Sequence, residues 1–199
     1  ISLKIVQDLL IGIKSDIRDK VKLNSKKDLL VYSYRVAGTV GLMMAKILKV
    51  NKKSSLNSAI DLGIAMQLTN ISRDVIEDSK NNRFYINENF DEISSTIYLA
   101  DTFYKNSFYS IKHIPITFRF SILVARRVYR KIGYKILSKK NLENYQNSGK
   151  IYVSNIEKTL ETFLSIFDLI KLLFSYKNDD QIQHDHNLIN EEINLDERI

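Results

Sequence analysis

Four polar residues in the segment QLTNISRDVIEDSKNNRFY, residues 67–85, could together bind a cation. Gln67, Asn70, Asp74 and Asp78 follow one another at intervals of 3, 4 and 4 residues. At 3.6 residues per turn, this spacing puts them on one face of an α-helix, as a polar stripe about three turns long. Oxygen ligands without His or Cys favour a hard cation. The best candidate is Mg²⁺, bound through carboxylates and substrate phosphates.

The surroundings of this stripe leave two interpretations open. The other faces of the helix carry Ile60, Ile64, Ile71 and Val75. The helix is therefore expected to be buried nearly all round, and a buried carboxylate must be paired or coordinate a cation. Arg73, Lys80 and Arg83 lie nearby and could neutralise either substrate phosphates or the carboxylates themselves. The alternative to a cation site is thus a solvated face with intrahelical ion pairs, although carboxylates at i and i+4 repel each other.

A second stretch, YSYRVAGTVGLMMAKIL at residues 32–48, contains small residues within a helical pattern. Ala37, Gly38 and Gly41 leave a shallow trough on that helix. Glycine inside a helix costs roughly 1 kcal/mol relative to alanine, so it is tolerated where another group must come close. The approaching group is either the backbone of a neighbouring helix or a ligand.

These stretches belong to a chain whose composition predicts an all-α fold. Among 199 residues there are only 6 Gly and 1 Pro, which favours long helices over a sandwich or barrel. Apolar periodicity predicts helices at about 1–19, 29–48, 58–79, 92–111, 116–137 and 155–176. Asp28 is the expected N-cap of the second helix. The predicted core positions are Ile5, Leu9 and Ile13 on the first helix, and Tyr98, Phe103 and Phe108 on the fourth.

The polar end of the chain is expected to lie outside the folded domain. Residues 1–176 are predicted to form one domain, and residues 177–199, rich in Asn, Asp, Glu and Gln, a disordered or loosely docked tail. His184 and His186 fall in this tail. A metal role for them is disfavoured because no third ligand is evident.

Charge and composition limit the functional classes. A net charge of +7 suits an anionic partner such as nucleic acid, anionic lipid or a phosphorylated substrate, although biased codon usage could also produce it. The absence of cysteine excludes disulfides and thiolate metal sites. No run of 18 apolar residues predicts a membrane span. The one basic cluster is expected at a cavity rim or a membrane-facing surface, and it consists of Arg126, Arg127, Arg130 and Lys131.

The two stretches resemble the squalene/phytoene synthase family. Residues 32–42, YSYRVAGTVGL, are similar to its Y-C-x-x-V-A-G-x-V-G-x segment. Residues 67–85 are similar to its second aspartate-rich motif, Q-L-x-N-x-x-R-D-x-x-E-D-x-x-x-x-R-x-Y, and this match is long and specific. Weaker similarity covers ARRVYRKIGYKIL at 125–137 and GKIYVSNIEK at 149–158.

The resemblance implies a fold and a reaction. The fold is an all-α isoprenoid synthase bundle around a central cavity. Family members join two farnesyl or two geranylgeranyl diphosphates head to head, with Mg²⁺ (or Mn²⁺) bridging diphosphate to aspartates on two facing helices. One diphosphate leaves, and the double bond of the other substrate attacks the allylic cation. A cyclopropyl diphosphate then ionises and rearranges to the product.

The resemblance also assigns roles to individual residues. The catalytic residues would be Tyr32, beside the reacting carbocation, and Asp74 and Asp78. Magnesium would be held by Asn70, Asp74 and Asp78. Substrate would contact Val36, Ala37, Gly41, Gly63, Met66, Gln67, Asn70, Arg73, Arg83, Tyr85 and Tyr129, with the first five of these beside the prenyl tails.

The chain departs from the family pattern in ways that leave a second hypothesis open. The first aspartate-rich motif, D-x-x-x-D, belongs upstream of the part that resembles residues 1–19, and the pair Asp16 and Lys20 does not match it. The chain is therefore expected to be N-terminally incomplete. It could alternatively be a non-catalytic relative or remnant that acts in assembly or interaction. Lys150 stands where Arg is usual, Ser33 where Cys is common, and Asn87 where Pro is usual.

The expected partners follow from the enzymatic hypothesis. They are prenyl diphosphates and, because such substrates and products partition into lipid, a membrane surface contacted peripherally from the cytoplasm. Nucleic acid is not expected as a partner.

Overall fold

A computed structural model describes residues 1–176 and 184–199, and it confirms the all-α prediction. The helices are α1 Leu3–Ser15, α2 Lys26–Ser33, α3 Thr39–Ile47, α4 Lys53–Lys80, α5 Phe90–Asn106, α6 Ile116–Leu137, α7 Leu142–Asn147, α8 Asn155–Leu173 and α9 His184–Asn190. A π-helical turn, Tyr34–Gly38, joins α2 to α3, and 3₁₀ turns cover Tyr109–His113 and Leu195–Glu197. The short strands β1 Val21–Lys22 and β2 Arg83–Phe84 pair in parallel, with Val21 opposite Arg83.

Helix α4 is the central element of the bundle. It packs against α5, α3, the π-turn and α6. Ile60, Ile64 and Leu68 are completely buried, so the expected burial of this helix holds along much of its length. The helix is 28 residues long and begins at Lys53 rather than near Ser58 as predicted. Because the helix is this long, the polar stripe and the apolar residues that precede it lie on one continuous helix.

Gly41 and Gly63 allow the backbones of α3 and of the π-turn to pack directly against the backbone of α4. A Cβ on Gly41 would lie 2.1 Å from the carbonyl oxygen of Ala59, and a Cβ on Gly63 would lie 2.2 Å from that of Ala37. Any side chain at these positions would force the backbones apart, because real Cβ atoms do not approach so closely. The sequence left open whether the backbone of a neighbouring helix or a ligand approaches the small residues. At Gly41 a neighbouring backbone does approach.

The buried face of α1 differs from the predicted face. Ile5, Asp8 and Gly12 are buried, whereas Ile13 is 47% exposed and Leu9 is only partly covered. A Cβ on Gly12 would come within 2.8 Å of the Arg35 and Val36 side chains, so the π-turn packs directly on this glycine. Ile5 is thus confirmed, whereas the prediction was wrong for Ile13, because it followed apolar side chains while the actual contact also uses a glycine and a buried carboxylate.

Two further details of the predicted helices are corrected. The N-cap of α2 is Ser25, whose hydroxyl accepts the N–H of Asp28, and Asp28 lies in the first helical turn. On α5, Phe103 is fully buried and Tyr98 is 63% exposed, so Tyr98 is not a core residue. The first correction moves the start of a predicted helix by three residues, and the second changes which face of a predicted helix is buried.

The predicted disordered or loosely docked tail is well packed over residues 184–199. Ile189, Ile193 and Leu195 are almost completely buried and belong to the main hydrophobic core. The prediction failed because it weighed the many Asn, Asp and Glu residues and overlooked three apolar residues that reach the core. Residues 177–183 lie outside the described residues. Within the part of the chain that the structure describes, no helix has the length and apolarity required to cross a bilayer.

The basic cluster of α6 is satisfied inside the protein, not at a cavity rim or membrane surface as expected. Arg126 is buried, and burial lowers its pKa to about 10. Arg126 donates two hydrogen bonds to the carbonyl oxygen of Tyr104, at 2.7 and 3.0 Å. Arg127 pairs with Glu161 at 2.8 Å and with Asp168 at 2.9 Å. Arg130 pairs with Asp101 at 2.5 Å, and Lys131 lies 3.8 Å from Glu161. These contacts tie α6 to α5 and α8.

Candidate active site

A cavity of about 440 Å³ lies between the π-turn, α3, α4, the 3₁₀ turn at Tyr109–His113 and α6. Most of the side chains around it are apolar. Eight of the predicted substrate-binding residues meet on its walls: Val36, Ala37, Gly41, Gly63, Met66, Gln67, Asn70 and Tyr129. The structure therefore brings together residues that are far apart in sequence and were expected to share one site.

Helix α4 provides a continuous strip of this wall because its lining residues recur with helical periodicity. The strip begins at Ser55 and ends at Gln67 and Asn70. At 1.5 Å per residue, it is about 22 Å long. The two side-chain amides thus lie at one end of this strip, after its apolar stretch from Ala59 to Met66, and Asn70 is one turn before Asp74.

Asp74 continues the stripe beyond the cavity, and basic groups already surround it. The neighbouring Arg73 donates to both of its oxygens, at 2.9 and 2.5 Å. The Lys150 ammonium lies 3.5 Å from Asp74 and 2.8 Å from Glu77. Asp74 therefore has ion-pair partners within the chain, Arg73 directly before it and the distant Lys150, and its role as a metal ligand stays a prediction.

Asp78 is less well neutralised than Asp74. Partial burial and the nearby charge of Asp74 raise its pKa to about 6, and Arg83 only partly opposes them. Two carboxylates one turn apart on a helix repel each other when both are ionised. A cation placed between them would remove this repulsion.

The side-chain oxygen of Asn70 is a third candidate donor. Its Oδ1 atom is buried and has no hydrogen-bond partner. A buried amide oxygen without a partner costs about 1–3 kcal/mol, so a ligand that supplies one is favoured. With Asp74 and Asp78 it forms a row of hard oxygen donors, which suits Mg²⁺ in type and charge.

The row alone would not complete a metal coordination sphere. Within residues 1–176 and 184–199, no three His, Cys, Asp or Glu side chains come close enough together to hold a metal ion. A cation bound here would use Asn70, Asp74 and Asp78 and would take its remaining ligands from water or from substrate oxygens.

Tyr32 and Tyr85 form a separate cluster around Asp16. Their rings stack with centroids 4.7 Å apart and planes inclined by 22°. The Tyr32 hydroxyl donates to Oδ2 of Asp16 at 2.9 Å, and the Tyr85 hydroxyl donates to Oδ1 at 2.8 Å. Burial, reinforced by Asp16, raises the pKa of both phenols, which therefore stay protonated. Arg83 donates to the backbone carbonyl of Asp16 at 3.2 Å.

This cluster places Tyr32 differently from the prediction. Tyr32 is not among the described residues that line the cavity. The cluster lies instead towards the Asp78 end of the stripe, since the charge of Asp16 contributes to the raised pKa of Asp78. The role of Tyr32 beside a carbocation stays a prediction.

Sequence reasoning missed two residues at this end of α4. Asp16 was considered only with Lys20, as a failed D-x-x-x-D pair, and its two tyrosine partners are 16 and 69 residues away. Tyr145 on α7 was not singled out. Its hydroxyl lies 2.9 and 2.8 Å from the carbonyl oxygens of Ser72 and Arg73, where it anchors α7 on α4. No local sequence pattern marks either residue.

Comparison with known proteins agrees with the resemblance. A family model described as squalene/phytoene synthase matches residues 1–90. A 15-cis-phytoene synthase of Enterobacter agglomerans is 33% identical over 151 residues, which cover 65% of this chain and 51% of that protein. The chloroplastic phytoene synthase 1 of Solanum lycopersicum is 30% identical over 184 residues, covering 77% of this chain and 43% of that protein.

A solved structure agrees with the fold. The crystal structure of a dehydrosqualene synthase in complex with ligand superposes with a TM-score of 0.69 at 26% identity, covering 86% of this chain and 66% of that one. The chain spans about half the length of the curated bacterial relatives that it matches.

Proposed function

This chain belongs to the squalene/phytoene synthase family, and we propose that its protein condenses two prenyl diphosphates head to head in isoprenoid or carotenoid biosynthesis. The observation that carries the proposal is the continuity of α4. The same helix face that walls an apolar cavity ends in Asn70, Asp74 and Asp78. A prenyl diphosphate has the same two parts, a long apolar tail and a polyanionic head.

Magnesium is proposed as the cofactor, with Mn²⁺ as a substitute. Asn70, Asp74 and Asp78 would hold it, and it would neutralise the diphosphate so that this group can leave. Basic side chains nearby would add to this neutralisation, since Arg73 and Lys150 lie against Asp74 and Arg83 is close to Asp78. If a cation took over Asp74, the Arg73 guanidinium would be free to face the diphosphate bidentately.

The cavity residues would orient the tails and exclude water from the carbocations. Val36, Ala37 and Met66 offer apolar contacts, and Gly41 and Gly63, where the backbones pack directly on each other, also line the wall. Loss of the first diphosphate leaves an allylic cation, which the double bond of the second substrate attacks, and loss of a proton closes a cyclopropane ring. Loss of the second diphosphate and rearrangement, with release of a proton, then give the hydrocarbon.

The names of the relatives favour a phytoene-type product. Similar proteins of Enterobacter agglomerans and Pantoea ananas are both called 15-cis-phytoene synthases. Phytoene contains two C20 prenyl groups, so the proposed substrate is geranylgeranyl diphosphate. The strip of α4 that lines the cavity, about 22 Å from Ser55 to Asn70, is compatible in length with a tail of this size.

Peripheral membrane contact is also proposed. One face of α8 carries Ile156, Phe163, Phe167 and Phe174, each between 61% and 84% exposed. Exposed apolar patches of this kind favour contact with a membrane or another protein. Co-sedimentation with vesicles would test it, and a Phe163→Glu/Phe167→Glu variant that sediments as well as the unaltered protein would refute this surface.

The decisive experiment is an assay of the protein expressed from its full reading frame. It would be incubated with geranylgeranyl or farnesyl diphosphate, and with Mg²⁺, Mn²⁺ or a chelator, and the hydrocarbon would be identified by mass spectrometry. We expect a 40-carbon product from geranylgeranyl diphosphate, formed only with a divalent cation. Binding of the diphosphate without any product would contradict the proposal and favour the non-catalytic relative.

A further inference from the structure

Residues 184–199, here called the 184–199 segment, form an acidic stretch of chain on a basic surface. The segment contains five carboxylates and only one Arg. Its ion pairs reach α1, α2, the π-turn and the first turn of α4, and they are Lys4–Glu197, Lys26–Asp185, Lys27–Glu191, Arg35–Glu192 and Lys53–Asp196. Most of these pairs are partly exposed and individually weak, but together they fix the orientation of the segment.

Two of the segment's contacts involve buried carboxylates, Asp61 and Asp8. His186 lies 2.5 Å from Asp61 of α4, and the side chains are 9% and 4% exposed. Arg198 donates to Asp8 of α1 at 2.9 Å. Removing one member of a buried pair leaves the other charge without compensation, which is strongly destabilising. The segment is therefore part of the folded core.

The segment contacts Arg35 of the π-turn directly and Tyr34 of the same turn through Asp8 of α1. The Tyr34 hydroxyl donates to the same Asp8 oxygen that Arg198 contacts, at 3.2 Å. The Arg35 guanidinium donates to Glu192 at 2.8 Å. Short π-helical turns are rare and persist where their surroundings stabilise them.

The next two residues of the turn, Val36 and Ala37, line the cavity. The carbonyl of Ala37 also rests on Gly63 of α4. We propose that the 184–199 segment positions this wall of the cavity, with Arg198 and Glu192 as positioning residues for the π-turn. The inference relies on the proposed function only in that this wall would contact the prenyl tail.

Hydrogen exchange of the 1–199 chain, followed by mass spectrometry, tests the mechanical part. Arg198→Gln and Glu192→Gln should speed exchange of the amides at 34–38 by roughly tenfold, because each removes a charged hydrogen bond. Arg198→Lys should restore part of the protection, since an ammonium still pairs with Asp8. The matched control is Asp196→Asn, which removes an exposed pair with Lys53 and should leave those amides unchanged.

Two exchange results would overturn the proposal. One is exchange at 34–38 that equals that of the control in both Gln variants. The other is an increase that extends equally over α4 and α5, which would indicate general loss of stability. Should Arg198→Gln fail to fold, Glu192→Gln decides the question, because the Glu192 side chain is 43% exposed and its loss leaves no buried charge.

Binding of geranylgeraniol, an uncharged prenyl alcohol, tests the effect on the cavity. We expect both Gln variants to bind it about three- to tenfold more weakly than the control does, because a loosened wall must be ordered again on binding. Unchanged affinity in both variants would overturn the positioning role. If the unaltered protein of the full reading frame does not bind geranylgeraniol at all, the proposed function is contradicted, and the exchange measurement still decides whether the segment positions the π-turn.

Discussion

Helices α4 and α6 both carry charged side chains into the interior, but they differ in how those charges are matched. On α6, Arg126 bonds a backbone carbonyl, and Arg127 and Arg130 pair with carboxylates of other helices. On α4, Asp78 has a raised pKa and the Asn70 side-chain oxygen has no partner. The first arrangement is complete within the described chain, and the second is not.

This difference shows what separates a structural cluster from a candidate site. In the sequence both regions are runs of charge on an amphipathic helix. A charge in a protein interior must be compensated, either by the protein or by a ligand. Where the protein supplies the compensation, as on α6, the cluster ties helices together. Where polar groups next to a cavity lack partners within the protein, as on α4, a ligand can supply those partners.

The largest expected effect is that of Asp74→Asn on α4. In the protein of the full reading frame, it should reduce Mg²⁺-dependent turnover by at least about a hundredfold, because it removes a carboxylate that we propose binds the metal. Circular dichroism should show an unchanged helix content. The control is Asp101→Asn, which disrupts the Arg130 pair and should leave turnover intact. Normal turnover by Asp74→Asn would show that the metal assignment is wrong.

The second test compares a glycine on each helix. Gly63→Ala should lower the free energy of unfolding by about 1–3 kcal/mol, because its Cβ would meet a backbone carbonyl at 2.2 Å. Gly133→Ala on α6 would bring its Cβ to 3.1 Å from the Ile97 side chain, which can shift, so it should cost much less. Urea denaturation measures both. Equal losses would mean that the backbone contact at Gly63 has no special role.

The third test breaks the matched network of α6. Arg127→Gln removes the cation that pairs with Glu161 and Asp168, at 2.8 and 2.9 Å. Because the guanidinium is 25% exposed, water can replace part of the interaction, and we expect a loss of about 1–2 kcal/mol in unfolding free energy. Turnover per folded molecule should not change. A selective loss of turnover would place this network in the active site.

The smallest effect concerns a carboxylate of α4 that does have a partner, Asp61. Burial favours the neutral form of His186, but the hydrogen bond and charge of Asp61 outweigh it and raise the His186 pKa above 6.5. The folded state therefore binds the imidazole proton more tightly than the unfolded chain does. Its stabilising contribution is fully present below pH 6.5 and is lost as the pH rises through the raised pKa.

This contribution can be isolated with His186→Gln, which cannot be protonated. The difference in unfolding free energy between the unaltered chain and the variant should shrink as the pH rises above about 6.5. Denaturant titrations at several pH values measure it. A difference that stays constant with pH would show that His186 does not change its protonation on unfolding.

Much of the candidate site could be predicted because it lies on one helix. The spacing of Gln67, Asn70, Asp74 and Asp78 requires only a regular α-helix to place them in a row, and α4 is regular throughout. The family resemblance added Val36, Ala37 and Tyr129, which the cavity brings to the same place. Their chemical roles stay predictions until the enzyme is assayed.

The failures occurred where a contact joins residues distant in sequence. No residue at helical spacing from Asp16 marks it in the sequence, since its hydrogen-bond donors Tyr32 and Tyr85 come from other elements. The same is true of His186, whose partner Asp61 is 125 residues away. Periodicity reports which side of one helix is apolar, and it says nothing about which helix lies opposite.

The sequence by itself determined the fold class and the polar stripe of α4, because helix formation and the row of oxygen donors depend on local spacing. The tertiary structure alone decided which charges are matched and which are not. It paired the arginines of α6, left the Asn70 oxygen without a partner and folded residues 184–199 onto the π-turn. The physical reason is that compensation of a charge depends on distances of a few ångströms between groups from different elements, and only the packed chain sets those distances.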